Sequence, residues 1–323
     1  QTVPSLRTLD APPANLHAFV DEIASGLRVL YGDSAAAQYR RIAPRAFRAS
    51  MAHPDVAAVA ACDGDDAVAL LFTHTRGAVG EIPFLHVLAS HVGCGLEMVL
   101  LQRAVEMYRR GAVEGILIEQ VPFCRLELDG VLDDLGFQRV ERSLMSRPLM
   151  GEWLDRPDVP QSRSYDAAQW PNVALLLVEA YARTPESLLH AEVRDADAAR
   201  DFLRNVGAGA YGPMRHGYQR ALWVDGVCAG VAIGCEVAPE VGFVLQLAVR
   251  QGFRNRGVGG GLLCDLAVQF RKRHLDTIAL GVTAASRARR LYERFGFQPL
   301  RRVNAYHWWR VPDIGPSGIC EKG

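Results

Sequence analysis

Residues 243–270 read FVLQLAVRQGFRNRGVGGGLLCDLAVQF. An apolar run, 243–249, passes into a loop holding Arg254, Asn255, Arg256, Gly257, Val258, Gly259 and Gly260. Apolar residues then recur at helical spacing: Leu262, Leu263, Leu266, Ala267 and Phe270. The order is strand, glycine loop, helix. Glycines lack Cβ atoms, so successive backbone N–H groups can face one point at close range. The helix N-terminus adds a partial positive charge, and Arg254 and Arg256 add full ones. The stretch therefore predicts a site for a phosphate or pyrophosphate. Two familiar phosphate loops do not fit. A P-loop needs Gly-Lys-Ser/Thr, which is missing, and a dinucleotide GxGxxG needs a small residue where Leu262 stands.

The same order of elements occurs in the first half of the chain. Strand runs at 56–61 and 67–72 flank Gly64, as those at 221–224 and 227–233 flank Gly226, a shift of 162. A strand at 84–89 leads into Gly93-Cys94-Gly95 and a helical stretch with Leu96, Val99, Leu100, Ala104 and Met107. Gly93 and Gly257 differ by 164. Strands at 113–118 and 277–282 follow, and each half closes with VLDDLGFQRV or LYERFGFQPL, where Gly136 and Gly296 differ by 160. A glycine there suits the left-handed position after a helix. The expectation is a duplicated α/β domain with a mixed sheet: 1–150, a Pro-, Ser- and Asp-rich linker at 151–166, and 167–323.

The pattern Arg254-x-x-Gly257-x-Gly259, with LAVRQGFRNRGVGGGLL at 247–263 and ALGVTAASRARRLYERFGFQPL at 279–300, resembles the GNAT superfamily of N-acetyltransferases. The resemblance covers 245–300 and implies two tandem GNAT-like acyl-CoA N-acyltransferase domains. It implies acetyl-CoA, or another acyl-CoA, as co-substrate. Backbone amides of Arg254, Asn255, Arg256, Gly257, Val258, Gly259 and Gly260 would hold the pyrophosphate. Leu247, Ala248 and Val249 would pair with the pantetheine amides, and Ala288 and Tyr292 would complete the cofactor site. Tyr292 would also act as general acid toward the leaving thiolate, since a phenol can donate the proton that a thiolate needs. Ala285 stands where the family often has an Asn that contacts the cofactor. Blander readings sit beside these: GVGGG as a tight turn, Tyr292 as a core tyrosine bonded to backbone, and Arg287, Arg289, Arg290 and Arg294 as a solvated helix face.

The first half departs further. Counting from the loop glycines puts Ser90 at the Arg254 position, and Leu132 stands at the Tyr292 position. It reads as a degenerate copy that binds CoA, shapes the acceptor cleft or serves as scaffold. For the base, the strand 243–247 offers no acid. Gln246 could orient a water but cannot take a proton. Glu240 is the nearest carboxylate, with Glu236 and His216 as rivals. The segment 172–211, with Glu179, Tyr181, Arg183 and Glu186, is expected to give helices over the acceptor cleft. The reaction implied is direct attack of a small-molecule or protein amine on the thioester. The rival is a non-catalytic acyl-CoA sensor, favoured only by the missing strand acid.

Composition narrows the partners. Lys plus Arg and Asp plus Glu are 36 each, so no global field recruits nucleic acid. The apolar runs fall short of the ~20 residues of a membrane span, and 1–13 shows neither the basic nor the apolar region of a signal peptide. Seven cysteines, an odd count without a CxxC pair, predict reduced thiols and a cytoplasmic protein. The nine histidines do not cluster at ligand spacing, so no metal is expected.

Overall fold

Period-two runs of Val, Ile, Leu and Ala build twelve strands, and the computed structural model joins them in one sheet; it describes residues 4–119, 128–153, 161–182 and 184–310. The first half contributes β1 (Ser5–Leu9), α1 (Leu16–Met51), β2 (Val56–Asp63), β3 (Asp66–Arg76), β4 (Val79–Val87), α2 (Leu96–Arg110), β5 (Gly115–Glu119), α3 (Asp129–Asp134) and β6 (Gln138–Pro148). The second contributes β7 (Arg163–Ser164), α4 (Trp170–Tyr181), α5 (Ala196–Gly207), β8 (Gln219–Val224), β9 (Val227–Ala238), β10 (Val241–Val249), α6 (Val258–Arg271), β11 (Thr277–Thr283), α7 (Ala288–Arg294) and β12 (Gln298–Trp309). β7 lies inside the 151–166 segment.

The strand order is β1-β2-β3-β4-β5-β12-β6-β11-β10-β9-β8-β7. It is the same read from either end, once each strand is exchanged for its counterpart six strands away. At the centre, the last strand of each half has crossed into the other. β12 pairs with β5, and β6 pairs with β11. The β6–β12 register includes Arg302↔Ser143 and Val303↔Arg142, pairs that a 160-residue shift maps onto each other. The two terminal strands therefore form the symmetric seam of the molecule.

Helices cover both faces. α2 lies over β3 and β4, with Leu100, Leu101 and Ala104 fully buried. α1 packs on β2 through Phe19, Ala43 and Phe47 and breaks its helical path at Gly32 (φ 84°, ψ 178°). The sequence reading assigned nothing to 16–51, because this break leaves no single apolar stripe. In the second half α6 lies on β9. A Cβ at Gly234 would meet Phe270 at 2.7 Å, so glycine there is what lets the helix approach. α4 and α5 cover the other face through Val173, Leu177, Phe202 and Leu203. The Asp225-Gly226 turn has φ of 50° and 78°, the paired positive values of a tight hairpin. Cys62, Cys94, Cys228 and Cys235 are free thiols; Cys124 and Cys320 lie outside the described residues, as does Arg183. Among the described residues no helix is long and apolar enough to cross a membrane.

Candidate functional site

The glycine loop is held in a strained, specific backbone. Asn255 has φ 60°, and Gly257, the N-cap of α6, has φ 81° and ψ −9°. The first intrahelical bond runs from Gly261 N–H to Gly257 O, so the amides of Val258, Gly259 and Gly260 precede it. These N–H groups at a helix N-terminus form an anion cradle. Arg254 is occupied in fixing the loop. Its guanidinium donates to Val249 O (3.2 Å) and to Ala180 O (2.7 Å) at the end of α4. Arg256 lies over the Phe253 ring at 5.7 Å. Among the downstream arginines, Arg289 pairs with Glu293, while Arg287, Arg290 and Arg294 are exposed.

Beside the cradle the sheet opens. β10 and β11 pair in parallel only from Val241↔Thr277 to Val244↔Leu280. Beyond that, 246–249 keep their pairing with β9 on one side, and 245–249 have none with β11 on the other. A bulge between Val244 and Gln246 bends β10 where the strands part. The free edge thus includes Leu247, Ala248 and Val249. Ala288 begins α7 below it, and Tyr292 is 6% exposed on that helix, packed against Phe297. No hydrogen bond to its hydroxyl occurs among the described residues. Burial, with a smaller contribution from Glu186, pushes its pKa up, so it stays protonated at neutral pH.

A cluster absent from the sequence reading lies on the other side of the bulge. His190 Nδ1 and Glu192 Oε1 are 3.0 Å apart, with side chains 15% and 14% exposed. The same Oε1 accepts from Gln246 Nε2 (3.0 Å), and Gln246 Oε1 accepts from Tyr181 Oη (2.5 Å). Burial penalises both charges of the pair, yet the partner outweighs it: His190 is raised and Glu192 lowered, as in an ion pair. His190 and Glu192 sit on irregular turns between α4 and α5, so only tertiary packing brings them to β10. The His-x-Glu spacing at 190–192 is the one sequence signal that could have drawn attention to them.

Glu240 is not brought to this cluster. It occupies the β9–β10 turn with φ 65°, is exposed, and its carbonyl accepts from Asp276 and Thr277 N–H. It stands five residues before Leu245, about 16 Å along the strand. Glu236 is engaged with Arg215 (3.2 Å) and Tyr218 (2.9 Å).

The first half repeats the loop backbone and loses its chemistry. Gly93 and Gly95 have φ of 85° and 72°, matching Asn255 and Gly257. The backbone therefore aligns the loops at a shift of 162, and this corrects the 164 taken from glycine counting. Val92, not Ser90, is the counterpart of Arg254, and Glu97, not Gly95, is the counterpart of Gly259. Glu97 is 8% exposed, and its Oε1 has no hydrogen-bond partner. A Cβ at Gly259 would point toward Leu291 (3.4 Å) and Val249 (3.5 Å). The first half thus carries a carboxylate where the second leaves the cradle open. Leu132, in the Tyr292 position, is fully buried.

Between the halves lies a cavity of about 780 Å³. α1, β4 and β5 contribute Ile42, Ile82 and Glu119; the second half contributes His190, Glu192 and Leu245. Arg76 Nη1 donates to Tyr211 Oη across it (3.4 Å). Among the described residues no group of three or more His, Cys, Asp or Glu side chains is placed to hold a metal ion.

Comparison with known proteins finds a family-model match over part of the chain and fold likeness over nearly all of it. Residues 176–297 match the model of the acetyltransferase (GNAT) family. The chain is similar in structure to a GCN5-related N-acetyltransferase from Sphaerobacter thermophilus (18% identity, TM-score 0.66, covering 95% of this chain and 97% of that one). It is also similar to a tandem GNAT protein from the clavulanic acid biosynthesis pathway (16%, 0.61, 97% and 100%). A GNAT-family acetyltransferase from Colwellia psychrerythraea matches at 10% identity and TM-score 0.54, over 95% and 100%. No curated protein sequence matches the chain.

Proposed function

Since residues 176–297 match the GNAT family model and the whole chain shares its fold with GNAT proteins, one of them tandem, we propose that it is an acyl-CoA-dependent N-acyltransferase whose second half holds the donor. The observation that carries this reading is the junction of three parts: the α6 cradle, the parting of β10 from β11, and the unengaged hydroxyl of Tyr292. The amides of Val258, Gly259 and Gly260 would hold the pyrophosphate, and the free edge at Leu247, Ala248 and Val249 would take the pantetheine as an added strand. Acyl-CoA, most simply acetyl-CoA, supplies an activated acyl thioester when bound.

The remaining work falls to side chains. Neutral His190, held by Glu192, accepts the proton of the incoming ammonium through water. Gln246, fixed between Tyr181 and Glu192, orients that water. Tyr292 Oη donates a proton on the leaving side. The partners are an acceptor amine and no nucleic acid. A panel of amines with acetyl-CoA, read by free-thiol release, tests the activity. Calorimetry tests the donor site separately, with micromolar affinity expected; no binding of CoA or of any short acyl-CoA would end this reading.

A further inference from the structure

The cavity between the halves begins where the donor residues end. Of the free strand edge only Leu245 lines it, while Leu247 through Gly260 do not. Its walls are mostly apolar, with Ile82, Phe202, Phe243 and Leu245 among them. Its lining includes three large hydrophobic residues that are exposed, Ile42 (47%), Val237 (49%) and Leu300 (49%). The charges tell the other half. Among the described residues each lining carboxylate has a basic partner in the chain: Glu81 has Arg76 (3.4 Å), Glu119 has Arg142, and Glu192 has His190 (3.0 Å), the last a cation only while His190 is protonated.

A site for a polyamine, an aminosugar with several ammonium groups or a basic peptide needs unpaired carboxylates, because each added charge must be desolvated and matched. Among the described residues this cavity offers only Glu192, and only while His190 is neutral, so it can match one ammonium and no second. We infer that the acceptor is a small monoamine, one amino group on an apolar body such as an arylalkyl chain, and that the first half supplies one wall of its site. The inference rests on the transferase reading above and names its substrate class. The apolar walls also serve the chemistry. Desolvation lowers the pKa of a buried amine, so more of it is present as the neutral nucleophile.

The test compares 2-phenylethylamine, spermidine and a lysine peptide with acetyl-CoA in wild type and Ile42→Glu. Ile42 is half exposed, so the variant is expected to fold, checked by its melting temperature. In wild type, kcat/KM for 2-phenylethylamine is expected to exceed that for spermidine by at least about tenfold, the worth of one or two methylene contacts or more. Ile42→Glu is expected to narrow that ratio about tenfold, by adding the unmatched carboxylate the cavity lacks. Preference for spermidine or the peptide would overturn the inference and leave the transferase reading standing. So would an unchanged ratio in the variant, or a preference for long acyl-CoA donors that compete with 2-phenylethylamine for the cavity. If no amine is acylated, calorimetric binding of 2-phenylethylamine that is weakened in Ile42→Glu would retain the acceptor site and reject the transferase; no such binding would reject the acceptor site.

Discussion

In the proposed mechanism Tyr292 and the His190–Glu192 pair divide two proton transfers between them. Tyr292→Phe removes only an oxygen that bonds nothing among the described residues, so the fold is expected to keep its melting temperature. kcat is expected to fall at least about tenfold with little change in KM for acetyl-CoA, as for a group acting in the transition state. Unchanged turnover would make Tyr292 a packing residue. The pair gives a pH signature. His190 is raised above its ordinary 6.5 because Glu192's charge and hydrogen bond outweigh burial. It keeps its proton to higher pH, so kcat/KM is expected to rise with pH through a midpoint above 6.5. Glu192→Gln leaves burial without the opposing charge, and the midpoint is expected to drop below 6.5. A midpoint that stays put would show that another group takes the proton. Tyr292 was legible because it sits a fixed four residues before a glycine that ends its own helix. Glu192 was not, because its partner Gln246 is 54 residues away and no local pattern links them.

At the scale of elements, the strand–loop–helix units were read nearly whole in both halves, since each is built from local periodicity and positive-φ glycines. The loop alignment was not. Glycine counting matched Gly257 to Gly93, whereas the backbone matches it to Gly95, because φ at the helix N-cap, not residue type, defines the position. The realignment changes the expected behaviour of the two loops. Glu97 places a carboxylate at the N-terminus of α2, where a pyrophosphate would meet like charge. Calorimetry is expected to give one acyl-CoA per chain; two equal sites would contradict this. Gly259→Val is expected to abolish that single site, since the added methyls would extend past the 3.4 Å contact with Leu291 into the wedge beside Val249. Retained binding in that variant would mean the pyrophosphate lies elsewhere.

The whole molecule is a single sheet with two-fold pseudo-symmetry, and its seam is where sequence reading stopped. Nothing in 138–148 or 298–309 says which half each will join, because either sheet offers the same vacant edge. The exchange couples the halves. Deleting 298–323 is expected to abolish acyl-CoA binding although every cradle residue remains, with aggregation seen by size-exclusion chromatography, as β5 and β6 each lose a partner strand. A soluble truncation that still binds CoA would show the seam to be dispensable. The seam also sets a schedule for biosynthesis. β6 leaves the ribosome well over a hundred residues before either of its neighbours, β11 and β12, exists. The first half therefore has no finished state to reach while the rest is translated; it must carry an unpaired strand through most of the synthesis of the second. A substitution that slows elongation beyond residue 148 is expected to cost yield without altering the folded protein that emerges, because the hazard lies in the waiting, and the last strand of those described to be made is the one that ends it.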